Sequence, residues 1–340
     1  MHFSTLIQNW YRQNKRDLPW RSTSDPYFIW LSEVILQQTR IEQGLSYYLK
    51  FSKSFPTVKK LALADEDSIL NLWQGLGYYS RARNLHSGAK QILLNHKGKF
   101  PATYNEILNL KGVGPYTASA VSSIAFNLPH AVVDGNVYRV LSRVFKIIEP
   151  IDSTSGKKIF DKVAHEVLDK KNPGNHNQAL MEIGSLVCSP TSPKCHECPV
   201  NAKCLSFADG TFLEYPVKEK KTKVRDRYFH YLVVTDGKKI VLNKRAEKDI
   251  WFGLYDFNLI EKTNAKQNVS KDIELLNPLK FKKDGAFVHI LSHQKIHATF
   301  WKVDVKKLKT EKGKTIVNIN ELDNYPMPQL LIRYLEQATL

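Results

Sequence analysis

The 340-residue sequence predicts an α+β multidomain protein, in which an all-α part is followed by a small α/β domain. In the first 205 residues, apolar side chains recur at intervals of three and four, as in Trp30, Val34 and Ile35, and this spacing is typical of amphipathic helices. From about residue 228 the apolar period changes to two, which is typical of β-strands. A chain of this length is long enough for two domains, so we predict a boundary between the two patterns.

We predict a helical domain over 1–205, a basic linker over 206–227 and a strand-rich domain over 228–340. Asp236-Gly237 is typical of a hairpin turn. The strands are predicted over 228–234, 239–243, 286–290 and 296–303. The linker contains Tyr215-Pro216 and a run of cations that is either solvated or lies along a phosphate backbone. Its basic residues are Lys218, Lys220, Lys221, Lys223, Arg225 and Arg227.

The formal net charge of +17 and the isoelectric point near 9.5 favour a polyanionic partner, nucleic acid first. General surface basicity is the alternative. No apolar run approaches the ~20 residues of a membrane span, so we expect no membrane partner. The first 20 residues are amphipathic and contain Arg12, Lys15 and Arg16, and we expect no targeting peptide there. We expect a monomer, located in the cytoplasm with the nucleoid if the source is bacterial.

All four cysteines lie in one short window, as Cys188, Cys195, Cys198 and Cys204. Such clustering predicts a single metal site, because soft thiolates select zinc or iron–sulfur clusters. Two disulfides are the weaker alternative, since the chain shows no secretory signal. Zinc sites favour two separated Cys-x2-4-Cys pairs and this chain has one, so the spacing favours an iron–sulfur cluster over zinc.

Leu110-Lys111-Gly112-Val113-Gly114-Pro115 is typical of a helix–hairpin–helix. Gly112 and Gly114 allow a sharp turn close to a ligand, and Pro115 suits the first turn of a helix that continues to Phe126. The amides at that helix start can bind a DNA phosphate. A short helix before the hairpin would be capped by Thr103 with Glu106. A plain helix–helix turn is the alternative.

Asp134 ends an apolar segment and begins a predicted helix, where the commonest role of an aspartate is an N-cap. After a DNA-binding hairpin, this carboxylate can instead face a sugar C1′ and stabilise positive charge there.

Several motifs occur together in one order, densely over about the first 205 residues and sparsely afterwards. With the four cysteines, they are Leu18–Arg21, Ser32–Thr39, Gln74–Leu85, Leu110–Gly114, Val132–Val137 and Asn177–Gly184. Together they resemble the helix–hairpin–helix DNA glycosylase superfamily of the endonuclease III type, which carries a [4Fe–4S] cluster, and within it the adenine DNA glycosylases of the MutY type. The resemblance divides the helical domain into a six-helix part, about 22–130, and a cluster part, 1–21 plus 131–205.

The resemblance implies removal of adenine paired with 8-oxoguanine or guanine in double-stranded DNA, after the base is flipped out of the duplex. Glu33 is the candidate acid, because its apolar helix face should raise the pKa of the carboxyl. Asp134 is the candidate carboxylate that stabilises the sugar cation, and Asn136 and Tyr116 would position it and the water. Endonuclease III has a nucleophilic lysine where this chain has Tyr116, so we expect base removal without an efficient lyase step.

The resemblance also implies DNA-binding residues. Trp20, Arg21 and Glu182 would line the adenine pocket, although Trp20 is equally typical of a core and Glu182 of an exposed helix. Residues that would insert at the lesion are Gln38, Thr39, Leu76 and Tyr78. For Leu76 and Tyr78, core packing is the alternative, but flanking glycines favour an exposed loop.

The C-terminal half resembles a Nudix-like domain that recognises 8-oxoguanine, through Trp251–Phe257. A Glu-rich metal-binding helix is missing from the sequence, so we expect no pyrophosphatase activity. Leu291-Ser292-His293 stands where the family has Phe-Ser-His, and Leu291 lacks the aromatic ring for stacking. The alternatives to this function are a related glycosylase for damaged pyrimidines or mismatched thymine, and a non-catalytic iron–sulfur DNA-binding protein.

Overall fold

The computed structural model describes residues 2–219, 224–246, 249–264, 267–309, 311 and 313–338. The chain forms two compact units, one of Met1–Leu63 with Asn84–Lys220 and one of Ala64–Arg83 with Lys221–Leu340. Lys220, Lys221 and Lys223 of the predicted linker lie outside the described residues. Within the described ranges, no helix has the length and apolarity that crossing a bilayer requires.

The predicted fold class is confirmed: helices dominate up to residue 208, and all strands of the described chain follow residue 224. The helices are α1 (Phe3–Asn14), α2 (Pro26–Leu36), α3 (Ile41–Ser54), α4 (Val58–Leu63), α5 (Glu66–Trp73), α6 (Ser80–Asn95), α7 (Tyr104–Leu108), α8 (Pro115–Phe126), α9 (Gly135–Phe145), α10 (Thr154–Val167), α11 (Pro173–Leu186), α12 (Leu205–Ala208), α13 (Ser270–Glu274) and α14 (Gln329–Leu335).

Local signals fix the helix ends around the predicted hairpin. Pro115 occupies the first turn of α8, where its missing N–H costs no hydrogen bond. Thr103 caps α7 by accepting from the Glu106 amide. Gly112 has φ of 77°, and a Cβ there would lie 2.4 Å from the Asn84 Cβ, so a larger residue cannot form this turn. The hairpin therefore depends on glycine at position 112 for both conformation and space.

One apolar core of the first unit joins α1, α9, α10 and α11. Ile7, Leu141, Phe160 and Ile183 are completely buried in it. Burying a side chain of this size stabilises the fold by about 2 kcal/mol. This core holds α9 and α11 side by side, and both helices carry predicted site residues.

The second unit is a mixed seven-stranded sheet of order β3-β2-β1-β6-β5, with β4 also paired to β1 and β7 to β2. The strands are β1 (Arg225–Thr235), β2 (Lys239–Lys244), β3 (Tyr255–Asp256), β4 (Asn258–Lys262), β5 (Lys280–Ile290), β6 (Gln294–Asp304) and β7 (Lys314–Asn318). Strand β1 runs parallel to β6 and antiparallel to β2. Gly237, with φ of 87°, forms the predicted turn between β1 and β2. The Phe300 and Tyr334 rings stack at 4.1 Å, which packs α14 on the sheet.

Residues 64–83, which include α5, group with the sheet rather than with the other helices. The predicted boundary near residue 205 assigns this segment to the helical domain. The period of an amphipathic helix shows that one face is buried but not which element buries it, so the predicted domain bounds stay a prediction.

Candidate active site

A cavity of about 810 Å³ in the first unit gathers ten of the sixteen predicted catalytic and DNA-binding residues. Its walls come from the short 3-10 turn Pro19–Arg21, α2, the start of α8, the start of α9 and α11. The predicted residues that line it are Trp20, Arg21, Glu33, Gln38, Thr39, Gly114, Tyr116, Asp134, Asn136 and Glu182.

Glu33 is a buried carboxyl on α2, with only 9% of its surface exposed. Nearly the whole helix from Tyr27 to Ile35 is buried, so the carboxyl meets protein rather than bulk water. Burial raises the pKa of Glu33 to about 7; the negative charge of Asp134 adds to the rise, whereas a hydrogen bond with Tyr116 and the charge of Arg21 oppose it. A large fraction of Glu33 therefore keeps its proton near neutral pH, as its apolar helix face predicts.

Asp134 is the N-cap of α9 and faces the same cavity. Its Oδ1 accepts from the Val137 amide at 2.7 Å and its Oδ2 from Asn136 Nδ2 at 2.8 Å. Burial raises the pKa of Asp134 above its usual value, and these hydrogen bonds limit the rise. Asp134 therefore caps α9, as the sequence indicates, and its carboxylate also lines the cavity.

Glu182 is a buried acid on α11, 1% exposed, and not the solvent-exposed helix residue of the alternative interpretation. Both of its oxygens bind guanidinium groups: Arg21 approaches at 2.7 Å through each terminal nitrogen, and Arg16 at 3.0 and 2.6 Å. Burial alone would raise the pKa of Glu182, but the hydrogen bonds from the two arginines outweigh it and lower the pKa to about 2. This carboxylate stays ionised at every physiological pH.

Tyr116 follows the hairpin, lines the cavity and is half-buried. Its hydroxyl donates to Met181 Sδ at 3.6 Å, and it also interacts with Glu33. Burial and the charges of Glu33 and Asp134 raise the pKa of Tyr116 well above its usual value, so the phenol stays neutral. Neither an amine nor a phenolate is present at this position to attack a sugar.

Arg16, Gln178 and Met181 are among the cavity residues that were not predicted from the sequence. Gln178 Oε1 accepts from Tyr11 OH at 2.9 Å, which leaves the amide nitrogen of Gln178 for another acceptor. Gln178 lies within the Asn177–Gly184 motif one turn before Glu182, so helical spacing could have indicated it. Met181 directly precedes Glu182, and no such spacing links the two residues.

The remaining predicted DNA contacts lie outside this cavity. Gly112 is part of an exposed hairpin. Leu76, Tyr78, Leu291, Ser292 and His293 belong to the second unit. In that unit Tyr78 is 45% exposed, whereas Leu76 is 7% exposed and not the exposed loop residue that flanking glycines suggest. The Tyr78 and Ser292 hydroxyls are hydrogen-bonded to each other.

The four cysteines line a second, smaller cavity with residues of α9, among them Val140, Arg143 and Val144. All four thiols are free, so the disulfide alternative is not observed. Arg143 Nη1 lies 3.4 Å from Cys188 Sγ. Among the described residues, no group of three or more His, Cys, Asp or Glu side chains stands in a metal-binding arrangement. The donor set, four thiols around one cavity next to a buried guanidinium, nevertheless has the chemistry of a soft metal centre.

Arg139 on α9 connects the two cavities of this unit. Its Nη2 donates to Asn136 Oδ1 at 2.8 Å and to the Gly184 carbonyl at 2.6 Å, and its Nε donates to the Cys188 carbonyl at 2.6 Å. Because Asn136 in turn binds Asp134, an unbroken hydrogen-bonded path leads from the cysteine loop to the Asp134 carboxylate.

Comparison with known proteins agrees with this arrangement. Residues 31–164 match the HhH-GPD superfamily base excision DNA repair protein family, and residues 230–337 match the NUDIX domain. Among relatives, the adenine DNA glycosylase of Buchnera aphidicola subsp. Schizaphis graminum is 34% identical over 300 residues, which cover 87% of this chain and 85% of the relative. That of Buchnera aphidicola subsp. Baizongia pistaciae is 36% identical over 300 residues, covering 85% and 84%.

Among solved structures, a thermostable thymine-DNA glycosylase superposes with a TM-score of 0.56 at 27% identity, over 61% of this chain and 95% of that one. The identity and coverage of the relatives, together with both domain matches, show that this chain is a base excision repair DNA glycosylase that belongs to the adenine DNA glycosylase family.

Proposed function

We propose that the enzyme hydrolyses the N-glycosidic bond of adenine mispaired with 8-oxoguanine or guanine in duplex DNA. The observation that carries this proposal is the pair of carboxyls in one cavity: Glu33 with a pKa of about 7, and Asp134 held by two hydrogen bonds. Hydrolysis of a glycosidic bond needs such a pair, one group to protonate the leaving group and one to stabilise an oxocarbenium-like sugar.

In the proposed mechanism the target adenine leaves the base stack and enters the cavity of about 810 Å³. Glu33 donates its proton to a ring nitrogen of the adenine. The bond between C1′ and the base then breaks, and its electron pair stays with the adenine. Asp134 stabilises the positive charge on the sugar. Water attacks C1′ and passes its proton to the Glu33 carboxylate, which restores the acid. Because Tyr116 stands in place of an amine, no Schiff base forms and the DNA strand stays intact.

Recognition of the base would come from the polar wall of the cavity. The amide nitrogen of Gln178 can donate to an acceptor on adenine, since its oxygen is occupied by Tyr11. Glu182 fixes the guanidinium groups of Arg16 and Arg21 at the edge of the cavity, where they cannot turn away. Trp20, packed edge-on against Tyr48 at 5.0 Å, supplies an apolar surface for the flipped base.

Recognition of the opposite 8-oxoguanine would come from the second unit. Ser292 and His293 are exposed, and Leu291 packs against the sheet core. Tyr78 presents its ring next to Ser292. An exposed ring can enter a base step, and the serine and histidine can hydrogen-bond a base edge.

The test is a single-turnover assay on duplexes that carry adenine opposite 8-oxoguanine, with and without hot alkali. We expect strand breaks only after alkali, which marks an abasic site left by a monofunctional glycosylase. Breaks without alkali would contradict the assignment of Tyr116. No breaks in either lane, together with cleavage of a duplex that contains an oxidised pyrimidine, would favour the related glycosylase instead.

Cys188, Cys195, Cys198 and Cys204 would hold a [4Fe–4S] cluster. When bound, such a cluster supplies either a rigid support for the loop or electron transfer. The chain's own contribution is the loop from 188 to 204, which Arg139 and Arg143 attach to α9 by hydrogen bonds to its carbonyls.

We expect aerobically purified protein to contain about four iron and four sulfide ions per chain, with broad visible absorption. Cys198→Ser should lose most of the iron. His196→Ala is the matched control: it lies between Cys195 and Cys198, its ring packs edge-on against Phe207, and its removal should leave the iron content unchanged. If the wild-type protein contained stoichiometric zinc and no iron, the four cysteines would form a zinc site and the proposed cluster would be wrong.

A further inference from the structure

The segment 64–83 carries α5 and the loop with Leu76 and Tyr78, and it forms one compact unit with residues 221–340. Two loops proposed to contact the lesion, 75–78 and 291–293, therefore belong to the same unit although over 200 residues separate them in the chain. The contacts that hold this segment in the unit decide where Tyr78 stands relative to the 291–293 loop.

Asp67 contacts two side chains of the sheet at once. Its Oδ1 lies 2.6 Å from Lys244 Nζ, and its Oδ2 accepts from Tyr255 OH at 3.0 Å. Lys244 and Tyr255 are direct neighbours across β2 and β3, and the ammonium lies 5.2 Å from the centre of the tyrosine ring. Tyr255 is buried, and the Asp67 side chain is 27% exposed. One carboxylate thus binds two side chains that are paired across β2 and β3, and the pairing of the strands prevents these side chains from moving independently of each other.

Two further residues of the segment bind the same unit on the same helix face. Asn71, one turn after Asp67, donates through Nδ2 to the Asn324 carbonyl at 2.9 Å. Gln74, almost one turn later, accepts from the Met327 amide at 3.3 Å. Spacing of four and three residues places Asp67, Asn71 and Gln74 in one row along α5. Gln74, the last residue of this row, directly precedes the loop 75–78.

The loop itself is fixed in a strained shape. Gly75, Gly77 and Tyr78 have φ of 98°, 71° and 47°, and the Tyr78 value is unusual for a residue with a side chain. Trp73 Nε1 donates to the Gly77 carbonyl at 3.0 Å, and an Arg81 nitrogen donates to the same carbonyl at 3.2 Å. A loop held this way moves as a body with α5, so a displaced helix also displaces Tyr78 from Ser292.

We propose that Asp67 is a positioning residue that determines discrimination between opposite bases. It touches no base itself; it sets the spacing between Tyr78 and Leu291-Ser292-His293, which together contact the base opposite the adenine. This inference rests on the proposed function. Excision depends on the cavity of the first unit, whereas preference for 8-oxoguanine over guanine depends on the spacing that Asp67 sets.

The test compares single-turnover rates of adenine excision opposite 8-oxoguanine and opposite guanine, using the full chain. For Asp67→Ala we expect the ratio of the two rates to fall about tenfold, equivalent to roughly 1.4 kcal/mol of lost discrimination. Tyr255→Phe removes one of the two bonds and should lower the ratio by a smaller factor. Glu166→Ala is the matched control, because it removes an exposed helix carboxylate that pairs only loosely, at 3.8 Å, with Lys162. Its ratio should equal that of the wild type.

Both rates falling by the same factor in Asp67→Ala would show a merely structural role and overturn the proposal. An unchanged ratio, or a wild-type enzyme with equal rates on the two substrates, would also overturn it. If Asp67→Ala does not fold, Tyr255→Phe and Lys244→Ala decide the question by the same ratio. Absence of wild-type excision on both duplexes would instead contradict the proposed function, so the two failures are distinguishable.

Discussion

Replacing Asp134 with asparagine is expected to lower the single-turnover rate of adenine excision by about a thousandfold or more, while duplex binding survives. The carboxylate supplies a full negative charge beside the developing sugar cation, and loss of one such electrostatic group typically costs about 10²–10³ in rate or more. Asparagine is as good an N-cap as aspartate, so its oxygen can still accept from the Val137 amide and α9 should keep its start.

The control for this variant is Asp25→Asn. Asp25 is also an N-cap, of α2, and its Oδ1 accepts from the Tyr27 amide at 2.9 Å, but it does not line the cavity. Excision by this variant should equal that of the wild type. If both variants lost activity to the same extent, the effect would come from helix capping and Asp134 would have no role in catalysis. Binding is measured on a duplex with a non-cleavable adenine analogue.

Glu33→Gln is expected to abolish excision and at the same time to stabilise the protein above pH 7. The loss of activity follows from the loss of the proton donor, which contributes about 10²–10⁴ in rate. The gain in stability follows from the pKa, because folding raises it from about 4.5 to about 7. The folded state therefore binds more protons than the unfolded state between these values, and stability falls as pH rises through that window.

Above pH 7 the ionised, buried Glu33 costs the folded state an upper limit of roughly 3 kcal/mol, since each unit of pKa shift corresponds to about 1.4 kcal/mol. Glutamine removes this cost and keeps the shape of the side chain. The melting temperature of Glu33→Gln should exceed that of the wild type by several degrees at pH 8, and the two should converge below about pH 4.5. The wild-type excision rate should decline as pH rises above about 7.

Glu182→Gln is the matched comparison for stability. It removes a second buried carboxyl from the same cavity, and the pKa of that carboxyl is shifted in the opposite direction to the pKa of Glu33. The pKa of Glu182 is lowered to about 2, so its charge stabilises the fold above the unfolded pKa, and this contribution is lost as pH falls toward 2. Its replacement leaves Arg16 and Arg21 without their carboxylate and should lower the melting temperature at pH 8. If the melting temperature at pH 8 changed by the same amount and in the same direction in both variants, the opposite pKa directions of Glu33 and Glu182 would be wrong.

Much of the fold was predictable because the signals are local. The period of three and four, the proline at 115 and the aspartate at 134 predicted both ends of α8 and the start of α9 correctly. Strands β1, β2 and β6 followed from the period of two. Strands β4 and β7 were not predicted, since short strands within a polar, lysine-rich sequence carry little alternation.

The predicted site was a set of residue types, and ten of the sixteen predicted catalytic and DNA-binding residues meet in one cavity. Their roles came mainly from motif resemblance. Arg16 and Met181 were missed because nothing in a single sequence shows which helices face each other.

By itself, the sequence determined the family, the two-part fold and the chemical groups available, because motif order, apolar period and helix-capping residues are properties of short segments. Only the tertiary structure decided that Glu182, although buried like Glu33, has a lowered pKa. Glu33 and Glu182 are the same residue type on helices, yet one pKa rises and the other falls. Arg16 and Arg21 both hydrogen-bond Glu182, whereas Arg21 acts on Glu33 only through its charge, which does not offset burial. The tertiary structure likewise decided that residues 64–83 belong with the sheet. Charge and contact depend on distance in space, and sequence separation does not give that distance.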